Sequence, residues 1–109
     1  MLAEYTKIFF KEKPMFLGIY TFESDTAQLR MAYERMLELI PHTNLQLHVC
    51  VPSDNGLSII DSCPSKESFL FFASSSKFAD SLKSAGLPTP KVTPMGEVHT
   101  AFVDGTRIV

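Results

Sequence analysis

The chain has no apolar run long enough to cross a membrane as a helix. Its acidic and basic residues are interspersed and nearly balanced, for a formal net charge of -2. With no basic stripe, nucleic acid is not an expected partner. Cysteine is scarce: Cys50 and Cys63 are too few for a disulfide scaffold. Free thiols are expected in preference to a bridge, as suits a cytoplasmic protein. The three histidines show no His-x-His or Glu-x-x-His spacing, so no metal is expected. A glycine-rich phosphate loop, a serine nucleophile elbow and paired carboxylates are also missing, and no cofactor is expected. Charges interrupt the apolar pieces of Met1–Pro14, which therefore lacks the order of a secretory signal.

What is present suits one domain of 109 residues. Residues 1–14 read as an N-terminal extension whose aromatics cover a sheet edge or a partner subunit. Residues 15–109 read as a single domain. Met15 to Phe22 is a central strand, and Gly18 within it permits the close approach of something bulky. Ser24 or Asp25 caps a helix with an apolar stripe of Leu29, Ala32, Tyr33, Met36, Leu37 and Ile40, ended by Pro41.

Leu45 to Val51 alternates with period two, Pro52 to Gly56 carries turn chemistry, and Leu57 to Ser62 returns as a second strand. A tight turn on Asp54-Asn55 pairs Val49 with Ile60 and His48 with Asp61. A turn on Asn55-Gly56 would instead bring His48 opposite Cys63. The first register is favoured, and a one-residue slip would set apolar faces against polar ones. Ser65 caps a second helix running to the C-cap glycine Gly86. Phe69, Phe71, Phe72 and Phe78 serve its core, and Ser74-Ser75-Ser76 is a weak helix stretch that admits a kink or break. Val92 to Phe102 is a last strand, interrupted near Pro94 and Gly96 as at an edge or bulge. Asp104-Gly105 turns a short terminal hairpin. The order is β-α-β-β-α-β, an α+β, ferredoxin-like pattern with one face of an antiparallel sheet under helices.

His48-Val49, Gly56, Asp61, Ser65-x-Glu67-x-Phe69, Phe72-Ala73, Ala85-Gly86-Leu87-Pro88-x-Pro90-x-Val92 and Val98-His99 follow one another along the chain. Together they resemble small bacterial proteins of the dimeric α/β-barrel superfamily, which includes antibiotic-biosynthesis monooxygenase-like proteins. The resemblance implies a homodimer with two sheets face to face and a cavity between sheet and helices or inside the barrel. It also implies a range of activities, cofactor-free oxygenation among them. The chain departs from the pattern in having Cys63-Pro64 and Leu57 where the group often has tryptophan, and it has no tryptophan at all.

The helix-covered face is expected to take Leu47, Val49 and Ile60. The opposite face would then carry Gln46, His48, Cys50, Leu57, Ile59, Asp61 and Cys63, enclosed by a second subunit. His48 beside Asp61 is either an oriented base, its tautomer set by the carboxylate, or a structural cross-strand pair. Tyr20, Cys50, Ile59, Cys63 and His99 complete the candidate ligand-binding set. His99 lies on the final strand, at the sheet edge opposite His48, and would reach it only across a dimer. The expected function is a homodimer binding a small apolar or aromatic molecule. The alternative is a cofactor-independent monooxygenase or isomerase that uses His48 with Asp61.

Overall fold

A computed structural model describes residues 14–41 and 46–109. The N-terminal extension up to Lys13, and His42 with Leu45, lie outside the described residues. The architecture is α+β: a four-stranded antiparallel sheet, three helices and a small terminal hairpin. Strand β1 (Phe16–Glu23) leads to helix α1 (Thr26–Leu39). Strands β2 (His48–Ser53) and β3 (Gly56–Cys63) form a hairpin, helices α2 (Lys66–Ala73) and α3 (Ser76–Ala85) follow, and β4 (Lys91–Glu97) completes the sheet. The sheet order β2-β3-β1-β4 is compatible with a ferredoxin-like fold.

Each helix begins where a side chain satisfies an orphan backbone N–H. Asp25 accepts from the Gln28 amide at 3.0 Å, Ser65 from Ser68 at 3.1 Å and Ser75 from Phe78 at 3.2 Å. The weak point at Ser74-Ser75-Ser76 is a full break, and the segment from Ser65 to Gly86 forms two helices. The Ser74 hydroxyl donates to the Leu70 carbonyl and the Ser75 hydroxyl to that of Phe72. These bonds close α2 while Ser75 opens α3. Gly86, at φ 89°, ends α3 with its amide and that of Leu87 returning to the Leu82 carbonyl.

The β2–β3 hairpin takes the favoured register: Val49 opposes Ile60 and His48 opposes Asp61, around a turn with Asn55 at φ 55°. Thr26 fastens that turn to α1, donating to the Ser53 carbonyl at 2.5 Å and accepting from the Gly56 amide at 3.2 Å.

The expected assignment of faces is reversed. Phe16, Gly18, Tyr20 and Phe22 of β1 stand beside Leu57, Ile59, Asp61 and Cys63 of β3, with His48 and Cys50 of β2 in the same layer. This layer lies beneath the helices: Leu57 is wholly buried and Ile59 nearly so, whereas Val49 and Val51 are exposed. Both faces are half apolar, so alternation alone did not choose between them. The aromatic rings of β1 decide. Phe69 of α2 lies on Gly18, where a Cβ would collide with its ring. Phe16 and Tyr20 flank Phe69 at ring-centroid distances of 5.8 and 5.4 Å, and Tyr20 and Phe72 meet Phe78 at 5.0 and 4.8 Å. Phe71, grouped with these rings by sequence, points outward and is 80% exposed. On an eight-residue helix whose buried ring is Phe69, it falls off the inner face.

Strand β4 ends at Glu97, short of the expected Phe102. It occupies the sheet edge, and its pairing with β1 shifts register between Leu17 and Gly18, opposite the Pro94–Gly96 stretch. The expected terminal hairpin is present as β5 (Phe102–Val103) and β6 (Thr106–Arg107), turned by Asp104 and Gly105 at φ 49° and 77°.

Candidate functional site

Between the helix-covered face of the sheet and the three helices lies a cavity of about 190 Å³. Ile59 and Tyr20 form its floor, Met36, Leu37, Ile40 and Pro41 from the end of α1 form one wall, and Phe72 and Phe78 form another. His48, Asp61 and Cys63 bring its polar atoms in from the β2–β3 hairpin. The cavity is apolar because helical periodicity turns Met36 and Ile40 inward while strand alternation does the same for Tyr20 and Ile59.

The polar side is built from His48 and Asp61, with Tyr33 of α1 hydrogen-bonded to His48 but not itself lining the cavity. His48 Nδ1 donates to Asp61 Oδ1 in a short hydrogen bond between directly opposed strand residues. His48 Nε2 lies 2.6 Å from the Tyr33 hydroxyl of α1, with the two rings within 7° of parallel. The carboxylate only accepts, which places the ring proton of neutral His48 on Nδ1 and leaves Nε2 to accept from Tyr33. Burial foremost, then the charges of Cys50, Glu34 and Asp61, push the Tyr33 hydroxyl up to about 12, so it remains an O–H donor. The result is a relay, Tyr33 to His48 to Asp61, in which every proton has an acceptor. If the imidazole takes a second proton, the Tyr33 oxygen accepts instead and no bond is lost.

The site residues expected from sequence separate into three groups. Tyr20, Ile59, Cys63, His48 and Asp61 converge on the cavity. Cys50 shares their face and packs against the core but does not line the cavity. His99 lies past the end of β4, exposed, beyond the sheet edge opposite β2. Since His48 faces the helices, packing of two open sheet faces would not bring His99 to it. Tyr33 is the site residue that sequence reasoning placed only in an apolar stripe. Its signal was a hydroxyl on a core-facing position, which needs a polar partner when buried.

Neither thiol is drawn toward the thiolate form that a nucleophile needs. Burial raises both above the usual cysteine range, helped by Glu34 at Cys50, where Arg30 acts in the opposite sense, and by Asp61 at Cys63. Both are free. Burial, with Asp61 and Cys63, also pushes the Tyr20 hydroxyl up and keeps it protonated. Among the described residues no cluster of three metal-ligating side chains occurs, and no helix is long and apolar enough to cross a membrane. Comparison of the chain with protein-family models, with curated proteins and with solved structures finds no match.

Proposed function

We propose that the chain is a homodimeric protein of the dimeric α/β-barrel type that binds a small apolar or aromatic molecule within each subunit. The observation that carries the binding reading is the apolar cavity with a few polar side chains, His48, Asp61 and Tyr20, in its lining. The dimer reading has separate support. Leu17, Ile19, Val49, Val51 and Ile60 share the face of the sheet away from the helices, an apolar surface on a small domain. In this arrangement the partner covers that open face, and the ligand lies on the other side of the sheet.

A second reading, a cofactor-independent monooxygenase or isomerase, is favoured by the hydrogen bond from His48 to Asp61, which orients the imidazole. Its proton acceptor is His48 Nε2, which Tyr33 occupies until its hydroxyl turns aside.

Native mass spectrometry of the protein purified from its source tests the binding reading. A bound small molecule is expected in wild type. It should be lost on replacing Ile59 by Trp, which fills the floor of the cavity. A wild-type protein that arrives empty and binds no member of an aromatic fragment set would end this reading. Conversion of the recovered ligand by wild type but not by His48→Gln would favour the enzyme.

A further inference from the structure

We infer that the ligand of this cavity is a neutral single-ring alcohol or phenol whose hydroxyl accepts a hydrogen bond from Tyr20 and donates one to Asp61. The inference rests on the binding reading above and names the chemistry that the site selects.

Size sets the first limit. A cavity of about 150 Å³ with aliphatic and aromatic walls holds benzene. The 190 Å³ here takes one ring with a short substituent.

Hydrogen-bonding capacity sets the second. Tyr20 is 2% exposed and lines the cavity, and its hydroxyl makes no hydrogen bond to another described residue. It remains an O–H donor because burial opposes its ionisation. Asp61 is 7% exposed and also lines the cavity. Its Oδ1 is engaged by His48, and Oδ2 has no partner among the described residues. Gly18 opposes Asp61 and Tyr20 opposes Ile59, so Tyr20 and Asp61 are diagonal neighbours on one face of adjacent strands. A donor and an acceptor, neither with a hydrogen-bond partner among the described residues, therefore stand on neighbouring strands at an otherwise apolar cavity.

A hydroxyl is both acceptor and donor and serves the two at once. A carboxylic acid, ionised at neutral pH, would satisfy Tyr20 but meet the Asp61 carboxylate, and among the described residues no lysine or arginine lines the cavity to hold it. An ammonium group would satisfy Asp61 but leave the Tyr20 proton without an acceptor. A plain hydrocarbon would serve neither.

Four probes of one shape separate these cases: benzyl alcohol, toluene, benzylamine and benzoate, titrated into the full chain by calorimetry at neutral pH. Benzyl alcohol is expected to bind tightest. Tyr20→Phe keeps the ring and removes one neutral hydrogen bond, so it should weaken benzyl alcohol by roughly threefold to tenfold and leave toluene unchanged. Asp61→Asn should remove the discrimination against benzoate. Equal binding of toluene and benzyl alcohol would overturn the inference while leaving the cavity as a binding site. Tightest binding of benzylamine would overturn it in favour of a cation site, and tightest binding of benzoate would overturn it in favour of an acid site. If none of the four binds, the binding reading fails and this inference fails with it.

Discussion

His48 and Asp61 show how much one residue pair can reveal and conceal. Their opposition was legible in the sequence, because the turn residues and the alternation of two strands admit few registers, and the structure adopts the favoured one. Tyr33 was not legible as their partner, because nothing local says which strand residue lies under a given turn of α1. Its place at Nε2 has a consequence in alkaline solution. The Tyr33 hydroxyl is raised from 10.0 to about 12 by burial and by the nearby charges of Cys50, Glu34 and Asp61. Between those values the unfolded chain has released the proton that the folded chain keeps. Stability from this group is therefore complete below pH 10 and is lost as the pH rises toward 12. Thermal unfolding followed across that window should fall less steeply for Tyr33→Phe than for wild type. Tyr20 and the two thiols, also raised, contribute to both proteins alike. Parallel curves would show that the Tyr33 hydroxyl is not held as described.

At the scale of elements, local chemistry predicted most boundaries. Asp25, Ser65 and Gly86 cap helices where their side chains or backbone freedom allow, and Asp104-Gly105 turns the last hairpin. The serine triplet was read as a weak point, and the structure shows why it is a full break: Ser74 and Ser75 bond back to α2 while Ser75 caps α3. Replacing Ser75 by Ala removes the cap and the bond to Phe72 together. A loss of about 1 kcal/mol is expected in urea unfolding, most of it recovered with Asp at the same position. No change in midpoint would mean that the break is held by packing of Phe72 on Phe78 alone.

At the scale of the molecule, two surfaces compete for burial. The helices take the face with Tyr20, Ile59 and Asp61 and leave Val49 and Val51 exposed. A sheet with such a face suits a second copy of itself. Light scattering at micromolar concentration should give twice the 12.2 kDa chain mass. Val51→Lys, which places a charge on that face without touching the cavity, should return it to the chain mass with the fold retained. A wild-type protein of single mass would remove the barrel arrangement and leave the cavity reading untouched.

The sequence by itself determined the elements that depend on neighbours in the chain. These are the strand and helix periods, the caps at Asp25, Ser65 and Gly86, and a choice of two hairpin registers of which the structure takes the favoured one, with His48 opposite Asp61. It did not determine which way the hairpin faces, since Val49 and Ile60 are as apolar as Ile59 and Leu57. That choice came from Gly18, which admits the Phe69 ring, and from the aromatic rings around it, in contacts between residues far apart in sequence. The same choice moved the expected site from the open face of the sheet into the space between sheet and helices. There it gained Tyr33 from α1 and left His99 at the far edge. Strand alternation assigns residues to two sides, but only the tertiary packing of helices decides which side is inside.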